Sequence, residues 1–302
     1  MTTSIAVAGA TGNLGRLVVA ALRNRGAEVR ALVRPGTAAD RLGPLEKQGA
    51  KIAIVDLDNR DETARALSGV ASVVSALQGL HGVIVDTQSA LLDAAASAGV
   101  PRFIPSDFAI DFTRMPGTNR NFDLRLEFHR RLDAARIQAT SIFQGGFMDM
   151  LLWGMPLLDL KGHRVTHWGG ADQPMQFTTM NDTAAFTAAA ALDEKAPRYL
   201  RVAGDMISPR QLAATAESVI GERFEVVSAG TVEQLKAEIE RQRAADPNQD
   251  KSVFPVWVQL QYSLSMVNGL AVHEPLDNGR YPGNPLTTVK NLLTQARTQP
   301  AR

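Results

Sequence analysis

The chain has 302 residues, 45% of them hydrophobic and 21% charged, with a formal net charge of +1 and no cysteine. That length and balance fit one large α/β unit or a core domain carrying a smaller lobe, and argue against long disordered stretches. The near-zero charge argues against general attraction to nucleic acid or anionic membrane, and the missing cysteines remove disulfides, thiolate metal sites and cysteine nucleophiles together. No basic segment followed by an apolar run stands near residue 1, and no run reaches the roughly 18 apolar residues of a membrane span. The expectation is a cytoplasmic protein with neither nucleic acid nor membrane as partner.

Short apolar runs alternate with amphipathic segments through the first half. Strands are expected at Ile5–Ala8, Val29–Val33, Lys51–Val55, Ser72–Ala76, Arg102–Ile104 and Ala139–Phe143, with helices near 14–25, 38–48, 60–68, 83–98 and 120–136. Strands that are continuously apolar are buried on both faces, as in a parallel sheet. The strand–helix–strand repeat then gives an α/β fold of the Rossmann type, a doubly wound parallel sheet. Asn59 and Glu62 have capping-box spacing, and Gly99-Val100-Pro101 is a helix stop.

The second half is less regular. A strand at Gln176–Thr179 leads into a helix near 180–193, followed by a strand at Tyr199–Val202 and helices near 208–220 and 231–244. The charged run Glu238–Asp246 reads as a solvated helix face, and the apolar stretch 254–270, with Trp257, Tyr262 and Met266, as packed core. Residues 1–150 are expected to form the NAD(P)-binding domain and residues 151–302 mainly a smaller α+β substrate-binding lobe. That boundary is soft, because the elements at 175–203 can return to the core sheet.

The strongest local signal is Gly9-Ala10-Thr11-Gly12-Asn13-Leu14-Gly15, between the first strand and the first helix. A dinucleotide pyrophosphate needs backbone N–H donors at close range and the positive end of a helix dipole. Gly9 permits the tight turn, Gly12 lets backbone approach the phosphates, and Gly15 lets helix and strand pack closely. Thr11 and Asn13 can add hydrogen bonds, and Leu14 completes the motif. Arg34 ends the second strand 19 residues after Gly15, about where an NAD enzyme places the acidic residue that grips the ribose. An arginine there points to the 2′-phosphate of NADP(H), the alternative being a solvated strand end; Arg41 can supply a second charge. Ala76, Leu77 and Gln78 end the fourth strand and border the crevice by topology, and Asp56 does so at the third strand unless it only caps a turn.

Acid–base chemistry is less obvious. Four positions after Tyr199, Tyr262 and Tyr281 stand Ala203, Met266 and Pro285, so the Tyr-x-x-x-Lys pair usual in short-chain reductases is missing. Among the five histidines only His163 and His167 are close in sequence, in a strand-like segment, and no metal site is expected.

The glycine motif, Arg34, Pro105-Ser106-Asp107-Phe108, the helix from Phe122 to Arg136, Gln144-Gly145-Gly146-Phe147-Met148 and Asn278-Gly279-Arg280-Tyr281-Pro282 together resemble the NmrA-like and isoflavone-reductase-like group of atypical short-chain reductases. The resemblance implies that Ser106 borders the cofactor and that Gln144 and Gly145 lie on its nicotinamide side. It also implies that Arg125 takes the place of the lysine that is catalytic in the plant reductases. Arginine stays protonated, so it can orient or neutralise a substrate but is a poor proton donor. His129, one turn further on the same face, can titrate near neutral pH and act as general acid; the alternative is two solvated residues on a polar face.

The family implies an NADP(H)-dependent reductase acting on a small aromatic or apolar molecule held between domain and lobe. The alternative is an NAD(P)-binding sensor that regulates a protein partner without turnover.

Overall fold

The computed structural model describes residues 2–245 and 247–298, so Asp246, at the end of the charged run, lies outside the described residues. The chain forms two compact units. One comprises the described residues of Met1–Phe108, Asp123–Ile142 and Thr183–Leu200; the other comprises those of Ala109–Phe122, Phe143–Asp182 and Arg201–Arg302.

The first unit begins with β1 (Ser4–Ala8), α1 (Asn13–Asn24), β2 (Glu28–Val33), α2 (Ala39–Lys47), β3 (Lys51–Ile54), α3 (Arg60–Ala66) and β4 (Ser72–Ser75). There follow α4 (Gln88–Ser97), β5 (Arg102–Ile104), α5 (Arg120–Ala134, in this unit from Asp123), β6 (Gln138–Ala139) and β7 (Ser141–Phe143, in this unit to Ile142). Strand order is β3-β2-β1-β4-β5-β6, all parallel, which is the Rossmann arrangement. Apolar runs make this possible: Ile5 to Ala8 is fully buried, and Val73, Leu91, Phe103 and Phe128 fill the core around it. Side-chain chemistry sets the ends. The Asn59 side chain accepts the Glu62 N–H at the start of α3, and Gly99 turns left-handed after α4, with φ of 70°.

Two expected elements differ in detail. The helix near 83–98 opens with a π-helical turn over Gly82–Thr87, where the Thr87 hydroxyl donates to the Gly82 carbonyl and to Asp58. The strand expected at Ala139–Phe143 breaks at Thr140. Before the break β6 pairs with β5; after it the Ser141 N–H donates to the Arg198 carbonyl instead. Arg102, buried on β5 beside the edge strand, holds the break by donating to the Thr140 hydroxyl, the Gln138 side chain and the Glu194 carbonyl.

The second unit contains β8 (Gly146–Phe147), β9 (Leu158–Asp159), β10 (Arg164–Trp168), β11 (Met175–Thr178) and the start of α6 (Met180–Leu192). After β12 (Tyr199–Arg201) come β13 (Asp205–Ile207), α7 (Pro209–Ile220), β14 (Glu225–Gly230), α8 (Val232–Ala245), α9 (Val256–Val267) and α10 (Val289–Thr298). Two three-stranded sheets form, β14-β10-β9 and β13-β11-β8. The helix α7 starts on a full capping box, Ser208 with Gln211 and Pro209 in the first turn, and stops at Gly221. The stretch 254–270 contains α9, with Trp257 buried against Leu235 and Ile239 and flanked by the guanidinium groups of Arg120 and Arg243. No helix among the described residues is long and apolar enough to cross a membrane.

His273 knits this unit. Its Nε2 accepts the Asp111 N–H, while its backbone exchanges two hydrogen bonds with the Gln176 side chain. Burial, opposed by the Asp111 charge and assisted by Arg201 and Arg114, pushes the imidazole down to about 4 from the usual 6.5. Below pH 6.5 the unfolded chain takes up a proton that the native site refuses, so stability falls as the pH drops from 6.5 towards 4. Urea melts should show this loss, and His273→Gln, weaker at neutral pH, should flatten that part of the profile.

Candidate cofactor and active site

The loop after β1 is built around a close approach. A side chain at Gly15 would place its Cβ 2.1 Å from the Gly9 carbonyl oxygen, and one at Gly9, where φ is 75°, would sit 2.4 Å from the Ala76 carbonyl oxygen. Both glycines are therefore required by the protein's own packing. Gly12 is different: its Cβ would meet only the Gly9 oxygen, at 3.3 Å. Gly12 is the N-cap of α1, no side chain caps the helix, and its first turn carries no acidic residue. The first N–H groups of a helix have no partner inside it, so an uncapped, electropositive helix end faces the loop. This fits an anion such as a pyrophosphate. Asn13 is tied to Arg16, at 3.3 Å.

Arg34 leaves β2 on a tight turn in which Pro35 is followed by Gly36 at φ 76°, and the Thr37 N–H and hydroxyl both donate to the Arg34 carbonyl. Its exposed guanidinium has no hydrogen bond or ion pair among the described residues. Arg41 reaches the same loop from α2, its Nη2 lying 3.4 Å from the Thr11 carbonyl oxygen. Asp56 serves a turn, its carboxylate accepting the Asp58 N–H. At the end of β4 the Ala76 backbone packs on Gly9, the Leu77 carbonyl accepts the Ser106 hydroxyl, and Gln78 is exposed.

Ser106 and Asp107 form the turn at the end of β5. The Ser106 N–H donates to the side chain of Gln88, and its carbonyl accepts Nε of Arg125, at 2.8 Å. Asp107 is wholly buried: one carboxylate oxygen lies 2.6 Å from His129 Nε2 and accepts the Ser141 hydroxyl, while the other has no hydrogen-bond partner among the described residues. Burial alone would raise this carboxyl. The His129 charge and hydrogen bond, the Ser141 hydroxyl and the Arg125 charge outweigh it and hold the group below its usual value. Arg125 and His129 thus share a helix face, but His129 is buried and turned to a carboxylate. Asp107, Gln88 and Ser141 carry no periodic signal; only the Pro-Ser-Asp-Phe motif hinted at the first. On the flank of α5, exposed His81 sits between Asp86 and Glu127, both of which raise its pKa.

Gln144 and Gly145 belong to the second unit and are held there by β11. A Cβ on Gly145, where φ is 75°, would lie 2.2 Å from the Gln176 carbonyl oxygen, and the Thr178 hydroxyl donates to the Gln144 carbonyl. The buried Gln144 side chain has one oxygen without a partner. Trp153 is 60% exposed, whereas Trp257 is core and Trp168 packs against its cluster. Among the described residues no group of three histidine or acidic side chains can hold a metal ion.

The sequence model of the NmrA-like family matches residues 1–280. A curated relative, the bifunctional pinoresinol-lariciresinol reductase 1 of Linum usitatissimum, is 30% identical over 239 residues, 73% of this chain and 76% of that protein. The solved structure of an isoflavone reductase superposes with a TM-score of 0.83 at 22% identity, covering 98% of this chain and 100% of that one. A binary complex of leucoanthocyanidin reductase and NADPH from Vitis vinifera gives 0.82 at 19% identity, with the same coverage of 98% and 100%.

Two substitutions test the packing. Gly15→Ala should abolish or severely weaken folding, whereas Gly12→Ala should keep a melting temperature close to that of the wild type. Asp107→Asn, by breaking a buried pair, should cost about 3–5 kcal/mol near neutral pH. Because the folded carboxyl lies below the unfolded value of 3.8, the deficit should shrink as the pH falls beneath it. Urea melts across pH measure both.

Proposed function

The chain belongs to the NmrA-like family, and on that premise we propose that it is an NADP(H)-dependent reductase of the isoflavone-reductase type, transferring hydride to a small aromatic or otherwise apolar molecule. The observation that carries the reading is the pairing of an uncapped helix N-terminus at Gly12 with an exposed, unpartnered arginine at the end of the next strand. Neither is accounted for by contacts among the described residues. Together they match a dinucleotide with a 2′-phosphate: the N–H groups of residues 13–15 for the pyrophosphate, and Arg34 with Arg41 for the phosphate on the ribose. Bound there, NADPH supplies the hydride. The relatives named as pinoresinol-lariciresinol reductases support an aromatic substrate.

In this reading residues 1–150 hold the cofactor, with Asp56, residues 76–78 and Ser106 along its ribose and nicotinamide, and residues 151–302 mainly form the lobe that receives substrate. Arg125 neutralises charge on the substrate without giving up a proton, and His129 supports it. The partner is a small molecule, without nucleic acid, and the reaction belongs to the cytoplasm.

Parallel calorimetric titrations with NADPH, NADP⁺, NADH and NAD⁺ test this. NADPH should bind best, and Arg34→Ala should weaken it about 10- to 100-fold while sparing NADH, as expected for lost charge-assisted hydrogen bonds. Binding without preference for redox state, and no oxidation of NADPH with pinoresinol, would favour a sensor that acts on a protein partner.

A further inference from the structure

Three positions on one face of α5, each four residues from the last, are tied to the end of β5. Arg125 Nε donates to the Ser106 carbonyl; His129 Nε2 meets the Asp107 carboxylate; and Asp133 accepts two hydrogen bonds from Arg198, whose Nη1 donates to the Ser141 hydroxyl at 2.7 Å. Ser141 in turn donates to the Asp107 oxygen that His129 faces. The line Asp133–Arg198–Ser141–Asp107–His129 is thus continuous and returns to the helix from which it starts. Residues four apart stack on one face, so Arg125 stands directly above His129.

A buried carboxylate with one oxygen lacking a hydrogen-bond partner among the described residues is costly, and a buried ion pair contributes little that apolar packing could not. What such a pair does provide is one fixed arrangement of its neighbours. Here the neighbour is the Ser106 carbonyl, the adjacent residue in the same turn and the acceptor for Arg125. We propose that Asp107, paired with His129, is a positioning residue: it locks the turn at 106–107 against α5 and so fixes the direction of the Arg125 guanidinium. This rests on the reductase reading for its consequence in catalysis, though not for its geometry.

The geometry is read without turnover from the Arg125 Nε–H resonance in nitrogen-15 spectra, assigned by its disappearance in Arg125→Lys. It should exchange slowly with water in the wild type and at least about tenfold faster in Asp107→Asn and His129→Gln. His129→Arg, which offers Asp107 a permanent cation, should exchange slowly. With NADPH and pinoresinol, the first two variants should lower kcat about 10- to 100-fold at unchanged KM for NADPH, with recovery in His129→Arg. Folded variants that keep the slow resonance would overturn the proposal. So would a fast resonance in the variants with kcat untouched. If either variant fails to fold, Ser141→Ala replaces it: exchange a few-fold faster supports the lock, and unchanged exchange refutes it. A wild type that never oxidises NADPH with pinoresinol would count against the reductase reading, while the resonance still decides the lock.

Discussion

The first unit depends on a close approach that only glycine permits. With a Cβ at residue 15 just 2.1 Å from the Gly9 carbonyl oxygen, α1 could not lie against the loop that leaves β1. Because it does lie there, the helix presents its uncapped N-terminus at the end of a central strand, flanked by β2 and β4. That is the point where strand order reverses, and where open α/β sheets leave a crevice. Arg34 arrives at this edge on β2, residues 76–78 on β4 and Ser106 on β5. The electrostatics follow from the same arrangement: a helix dipole and Arg41 meet at one loop, Arg34 ends the neighbouring strand, and no acidic side chain stands in the first turn of the helix. In a chain of net charge +1 this local concentration of positive charge is built by placement and not by composition.

The other half of the site in this unit is governed by a buried negative charge. Asp107 remains ionised because His129, Ser141 and Arg125 together overcome the penalty of burial. The consequence is mechanical as much as electrostatic. A carboxylate in a dry interior tolerates few displacements, so the elements that supply its partners are held in one register. Arg125 fits this setting better than it fits proton transfer. Its guanidinium has a rigid fork and a permanent charge, which suit binding and orientation.

The second unit repeats the theme with neutral groups. Gly145 lies so close to the Gln176 carbonyl that no side chain fits, and Gln176 also clamps the backbone of His273. The imidazole must stay neutral to accept the Asp111 N–H, which ties the acid stability of this unit to His273. Trp257, flanked by two arginines, is part of the packing of α8 and α9.

Local chemistry made much of this legible in the sequence. Continuous apolar runs gave the buried parallel strands, the glycine motif gave the turn and helix start, and Asn59 and Gly99 marked helix ends, because each depends on residues within a few positions of one another. The helix α10, with Val289, Leu292 and Leu293 on its buried side, was not among the expected elements. Nor were the short strands β9, β13 and β14, since two to six residues at a half-exposed edge carry no clear period. Tertiary structure alone decided the break at Thr140, where the chain exchanges β5 for Arg198 as its partner. It alone decided the line from Asp133 to His129 as well, whose bonds join residues 22 to 65 positions apart. The sequence by itself determined the buried strands of the first unit and several helix ends; which distant side chains meet was settled only when the sheet closed, because desolvation and pairing of charge act through space and leave no periodic trace along the chain.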